Sequence, residues 1–153
     1  MAAITTTTLL ATTSFGTSTG NYDGSATSFN SDKVKGDGYY GFADGVHTVQ
    51  TRVTSLIATV KIQATLATTP ADTDWVDIET VVNGDGSTAI TQGYLTNFTG
   101  NYVWIRVAVT NFTSGTINTV ISRWEETYPM LCEHPNLKKD LIFLMLLLAV
   151  SYT

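Results

Sequence analysis

The chain is poor in charge, cysteine and proline, and each shortage removes a class of explanation. Only 14% of its 153 residues are Asp, Glu, Lys or Arg. Thr, Ser, Asn and Gly dominate the polar remainder, which suits hydrogen-bonding strand surfaces better than charge-laced helices. The one cysteine, Cys132, leaves no partner for an intrachain disulfide and no CxxC metal or redox pair. The formal net charge is −5, and basic residues stand singly apart from Lys138-Lys139. No cationic stripe follows a phosphate backbone, so nucleic acid is not an expected partner. Met1-Ala2-Ala3-Ile4 and the four threonines after it form neither a basic nor an apolar region, and no secretory signal is expected. Without covalent staples, the fold rests on an apolar core, and the chain is long enough to build one as a single domain.

What is present is alternation. In residues 59–66, Val60, Ile62, Ala64 and Leu66 share one side while Thr59, Lys61, Gln63 and Thr65 share the other. In residues 101–111, Val103, Ile105, Val107 and Val109 oppose Tyr102, Trp104, Arg106, Ala108 and Thr110. Residues 75–82 divide into Val76, Ile78 and Val82 against Trp75, Asp77 and Glu79. Period two marks half-buried antiparallel strands, because successive side chains leave a strand on opposite sides. Residues 46–57 and 116–124 add two β-branched, Thr-rich candidates.

The connections agree. Asn83-Gly84-Asp85-Gly86 has the residue chemistry of a tight hairpin turn, and Thr68-Thr69-Pro70-Ala71-Asp72 reads as a polar turn. Asn97-Phe98-Thr99-Gly100 and Asn111-Phe112-Thr113-Ser114 read as two similar turns flanking one strand. Short strands with frequent turns predict an all-β chain, an antiparallel β-sandwich or jelly roll over residues 38–124. Residues 1–37 are Thr-, Ser- and Gly-rich with isolated apolar residues, and read as an extended N-terminal arm. Such an arm is expected to order on neighbouring subunits, so that deleting residues 2–30 leaves the domain folded.

Few residues invite chemistry. Gly36-Asp37-Gly38-Tyr39-Tyr40-Gly41 matches GxGxxG, but a nucleotide-binding version follows a buried strand and opens a helix. The residues before it are polar and Gly45 comes soon after, so a glycine-rich bend is expected. Asn83-Gly84-Asp85-Gly86-Ser87 resembles the start of a calcium loop yet has Thr88 at the sixth position and Tyr94 at the twelfth. Asp77 and Glu79, two apart on one strand face, have roughly the spacing of a glycosidase pair but no apolar pocket to shift either pKa. His47 and His134 lie far apart with no GxSxG beside them, and Cys132-Glu133-His134 supplies too few metal ligands. No catalytic residue, cofactor or metal ligand is assigned, and the chain is not expected to be an enzyme.

The aromatics carry more. If Val103, Ile105 and Val107 face the core, Tyr102, Trp104 and Arg106 point outward, and Trp75 stands outside with Asp77 and Glu79. Large rings outside a core signal contact with a subunit, a glycan or the chain's own arm. Trp75, Asp77, Glu79, Tyr102, Trp104 and Arg106 are therefore the candidate contact surface. Residues 125–153 differ in kind: Leu141-Ile142-Phe143-Leu144-Met145-Leu146-Leu147-Leu148-Ala149-Val150 is uninterrupted and apolar. It is shorter than the roughly 20 residues a bilayer span needs, so a membrane is not an expected partner. It reads as an atypical apolar C-terminal tail: a buried helix or strand that plugs into a partner, a tail anchor, or out-of-register sequence appended after a domain ending near Trp124. The first and third are preferred, because an exposed run this apolar would aggregate.

Gly36-Asp37-Gly38-Tyr39-Tyr40-Gly41-Phe42, Gly45-Val46-His47-Thr48-Val49-Gln50, and Ile62-Gln63-Ala64-Thr65-Leu66 leading to Asp74-Trp75 carry a resemblance. Gly100-Asn101-Tyr102-Val103-Trp104-Ile105-Arg106 and Val109-Thr110-Asn111-Phe112 extend it. Across residues 35–124 this pattern resembles small virion structural proteins of tailed bacteriophages, particularly those of cyanobacterial phages. The resemblance implies a β-sandwich serving capsid decoration, neck or tail assembly, located in the virion, with other virion proteins and copies of itself as partners. The alternative from another class is a carbohydrate-binding module that grips a host-surface glycan through Trp75, Tyr102 and Trp104.

Overall fold

The computed structural model describes residues 6–41 and 45–124. The apolar tail, Cys132 and His134 lie outside the described residues. Among the described residues eight antiparallel strands form one sheet: β1 (Thr6–Leu10), β2 (Thr13–Ser14), β3 (Phe29–Asn30), β4 (Val34–Lys35), β5 (Val46–Thr65), β6 (Val76–Val82), β7 (Ile90–Thr99) and β8 (Trp104–Trp124). One helical turn, α1 (Asp37–Tyr40), precedes β5, and a 3₁₀ turn (Asp72–Asp74) precedes β6.

Two very long strands organise everything else. β5 and β8 span 20 and 21 residues and pair from His47–Trp124 at one end to Thr65–Trp104 at the other. The first half of β5 carries β7 on its far side, and the second half carries β6. β8 carries β3 and β4 along its first half and β1 and β2 along its second.

The reason the strands bend is legible in which positions are buried. Along β5 the fully buried residues are His47, Val49, Thr51 and Val53, then Leu56, Ala58, Val60, Ile62 and Ala64. The switch from odd to even falls at Ser55, which adopts φ 47°. On β8 the fully buried residues run Ile105, Val107 and Val109, then Phe112, then Ile117, then Val120 and Ser122. Its breaks include Asn111 at φ 53° and Gly115 at φ 86°. Each inserted residue is a bulge that re-aims the following side chains and bends the strand. The pairing records the same jumps, from Thr54–Thr116 to Ile57–Ser114 and then Thr59–Thr110. Val49 and Val53 of one half and Val60 and Ile62 of the other thereby join one apolar core. The result is an all-β, sandwich-like fold made from a sheet bent across itself.

Five expectations change. The candidate strands 46–57 and 59–66 are one strand, as are 101–111 and 116–124, because a bulge breaks the period without ending the strand. The segment expected as a free arm is part of the domain: β1 to β4 all pair with β8, and Leu9 and Tyr22 are core residues. Asn83-Gly84-Asp85-Gly86 closes no hairpin, since β6 and β7 pair with different halves of β5. It crosses between the halves instead, and a Cβ at Gly84 would collide with the Ala58 carbonyl oxygen. The Asn-Phe-Thr repeats are strand segments rather than turns, each burying its phenylalanine, Phe98 and Phe112. Leu66, expected on the apolar face, lies past the end of β5 and is 69% exposed.

Candidate functional site

Cross-strand partners share a face, so the pairing places side chains in rows. On the outer face of β4, β8, β5 and β6 one row joins Lys35, Trp104 and Thr65. The next joins Arg106, Gln63 and Asp77. The Arg106 guanidinium lies 4.2 Å from the centre of the Trp75 ring, its Nε–H donates to Gln63 Oε1 at 2.9 Å, and Asp72 stands 3.9 Å away. Burial lowers the Arg106 pKa, and the nearby Asp72 partly offsets that. Lys33 Nζ sits 4.6 Å from the Trp104 ring centre and Lys35 Nζ 4.2 Å from that of Tyr39. Tyr39 and Trp104 are themselves 5.0 Å apart. The Trp104 indole N–H donates to the Thr68 carbonyl at 3.0 Å, which fixes the ring. Cations over aromatic faces hold these side chains in place at the surface, each contact contributing about 0.5–1 kcal/mol.

Asp77 anchors the far end of the second row, accepting from Lys61 Nζ at 2.6 Å and Gln63 Nε2 at 2.8 Å. These bonds, Lys61 first, hold its carboxyl below the ordinary carboxylate value. A depressed carboxylate stabilises the fold above its ordinary pKa near 4, and that contribution fades as pH falls through its lower folded value. The pair is partly exposed, so Asp77→Asn is expected to cost at most about 1 kcal/mol at pH 7. Urea midpoints of the two proteins should converge as pH falls below the ordinary carboxylate value; equal gaps at pH 7 and in acid would count against the ion pair.

Of the six residues expected to form the contact surface, Trp75, Asp77, Trp104 and Arg106 come together. Two do not. Glu79 pairs with Ile62 whereas Asp77 pairs with Gln63, the very next residue of β5. A bulge in β6 intervenes, so the two carboxylates point to opposite faces, which also removes the glycosidase geometry. Tyr102 precedes β8, and its hydroxyl donates to the Thr99 carbonyl at 3.0 Å while its ring packs toward the core beside Phe98 and His47. In its place the sequence reading missed Lys33, Lys35 and Tyr39. The Lys-x-Lys spacing across β4 would have suggested two cations on one face.

A second cluster is interior. His47 and Asp37 are both buried, with His47 Nε2 3.7 Å from the carboxylate. His47 Nε2–H donates to the Gly100 carbonyl at 3.1 Å, and its ring stacks on Phe98 with centroids 5.0 Å apart. With relative exposures of 0% and 1%, neither side chain can meet a substrate, and the pair ties α1 to the start of β5. The GxGxxG segment serves the same junction. Gly36 N–H and Gly38 N–H donate to the carbonyls of Val103 and Tyr102 at 3.0 and 2.9 Å, leaving neither to hold a phosphate. A helical turn does form here, contrary to expectation, but it spans only Asp37–Tyr40 and ends at Gly41 with φ 74°.

The calcium-like loop is likewise occupied by its own backbone. Asp85 accepts from the N–H groups of Ser87 and Thr88 at 2.8 and 2.7 Å and from the Thr88 hydroxyl at 2.7 Å. These donors push its pKa well below the carboxylate range. Asp23-Gly24-Ser25 repeats the motif, Asp23 accepting from Ser25 and Ala26 at 2.7 Å each. Among the described residues no three His, Cys, Asp or Glu side chains gather as metal ligands. No described helix is long and apolar enough to cross a membrane. A cleft of about 240 Å³ between β1, Thr19–Asn21 and Ser31–Val34 has Asp32 as its sole titratable lining residue. No protein-family model matches the chain, and no curated protein matches it.

Proposed function

We propose that the chain is a non-enzymatic structural subunit of a virion, working as capsid decoration, neck or tail component through its outer sheet face. The observation that carries this is the ordered row of rings and cations, Tyr39, Trp104, Arg106 and Trp75, at the surface of a stiff sheet. Trp, Tyr and Arg are the residues that dominate protein contacts, and here they are fixed before any partner arrives. The reading of residues 35–124 as similar to tailed-phage structural proteins supplies the kind of assembly. A glycan-binding role for the same face is the alternative. The stacking already in place favours protein contact, because Arg106 covers Trp75 while Lys33 and Tyr39 lie against Trp104, and a sugar needs an open ring face.

Copy-counting mass spectrometry of purified particles from the phage encoding this chain tests the reading. Stoichiometric incorporation at a symmetric copy number is expected. Trp75→Ser combined with Tyr39→Ser should reduce incorporation at least about tenfold, the loss of roughly 1.4 kcal/mol of contact, while the isolated protein still unfolds cooperatively, its melting temperature lowered only by the lost Arg106 and Lys35 ring contacts. Absence of the protein from particles would sink the proposal. Glycan-array binding abolished by Trp75→Ser would favour the alternative.

A further inference from the structure

A row of unpaired backbone groups at a sheet edge invites another strand, and folded proteins blunt their edges with charge, proline, bulges or short length. The edges of this sheet can be compared on those terms. β6 carries Asp77 and Glu79 and two register shifts against β5. β2, β3 and β4 are two residues each, and β1 is five residues with a shift of its own. β7 has one register shift, at its start, where the extra residue belongs to β5 between Val53 and Leu56, and none of the other devices. It runs ten residues, Ile-Thr-Gln-Gly-Tyr-Leu-Thr-Asn-Phe-Thr, without a charge or a proline. Its pairing with β5 is unbroken from Val46–Thr99 to Val53–Gln92. Among the described residues it pairs with β5 alone, so alternate residues direct their N–H and C=O groups away from the sheet.

We infer that β7 is a self-association seam, adding antiparallel to β7 of a second copy to make one continuous sheet across two subunits. An uncharged edge can meet its own copy without repulsion, and an antiparallel strand is its own two-fold partner. The register follows from Leu95. Phe98 faces the core, and Leu95 stands on the opposite, outer face, 72% exposed, at the middle of the strand. A two-fold axis perpendicular to the sheet at Leu95 sets each Leu95 opposite the other. It also pairs Thr91 with Thr99 and Gly93 with Asn97 of the second copy. Two stranded leucines become a cross-strand apolar pair, the closest contact an antiparallel ladder provides. The seam rests on the strand edge alone and does not depend on the aromatic face or on residence in a particle.

Disulfide trapping of the full chain reads the register directly. Directly opposite residues have Cα atoms about 4.5–5.5 Å apart, within the reach of a disulfide. In a Cys132→Ser background, Leu95→Cys is expected to give a covalent dimer on mild oxidation. Thr91→Cys, whose counterpart lies far along the other strand, should stay monomeric under denaturing electrophoresis. Sedimentation velocity supplies the second reading: Leu95→Lys should raise the dimer dissociation constant at least tenfold while leaving the melting temperature unaltered. A monomer at every accessible concentration, equal trapping at positions 91 and 95, or a dissociation constant indifferent to Leu95→Lys would each overturn the seam.

Discussion

Deleting residues 2–30 is expected to abolish cooperative unfolding of the remaining chain. The deletion takes away β1, β2 and β3, three of the four strands that cover one side of β8. It also removes Leu9 and Tyr22, 4% and 1% exposed, together with the half-buried Leu10 and Phe29 that pack on the core. Tyr22, Phe29 and Phe15 surround Phe112, with ring centroids 5.2, 5.9 and 5.5 Å from it. Two buried side chains at about 1.5–3 kcal/mol each and two half-buried ones at roughly half that come to about 4.5–9 kcal/mol. That is comparable with the entire stability of about 5–15 kcal/mol expected of a domain this size. Backbone groups of β8 would lose their partners as well, and Phe112 and Val120 would meet water. Thermal unfolding followed by circular dichroism and tryptophan fluorescence checks this. A truncated protein that keeps a sharp transition within a few degrees of the full chain would show that the segment is dispensable.

That outcome reverses what composition suggests, and the reason is physical. Phe15, Tyr22 and Phe29 are isolated among Thr, Ser and Gly, and a local pattern cannot reveal that three separate side chains converge on Phe112. Only the long partner strand brings them together. Where the core is built within a strand, the sequence is far more readable: Val60, Ile62 and Ala64, and Ile105, Val107 and Val109, are buried as their alternation predicts. The same alternation places Trp104 and Arg106 outward. It fails one bulge away. Glu79 leaves the face of Asp77 because β6 gains a residue against β5, and Tyr102 turns inward because the strand begins only at Trp104. Bulges leave a period-two pattern looking like two strands with a turn between, which is why β5 and β8 each read as two elements. No single residue type announces them, since Ser55 and Asn111 adopt positive φ without being glycine.

Gly115→Ala is expected to destabilise the fold by about 3–5 kcal/mol, the range of the most damaging single substitutions. Gly115 sits where β8 bends opposite Ser55, and two separate penalties meet there. Its φ of 86° is a conformation that a side chain disfavours by roughly 1–2 kcal/mol. An added Cβ would also collide with the Ser55 carbonyl and the Leu56 Cα, both backbone. Backbone cannot rotate aside as a side-chain tip can, so β5 and β8 would have to separate at the corner. The Gly115 carbonyl also accepts the Phe15 N–H at 2.9 Å, so a shift there loosens the segment that brings Phe15 to Phe112. Gly86 supplies an internal control: its φ is 81°, yet nothing lies within 4 Å of a Cβ built on it. Gly86→Ala should therefore show the conformational penalty alone, about 1–2 kcal/mol, and the difference between the two urea midpoints isolates the collision. Equal midpoints would mean that the close approach of β5 and β8 at Ser55 contributes nothing, and that the bend is held by the core instead of by the glycine.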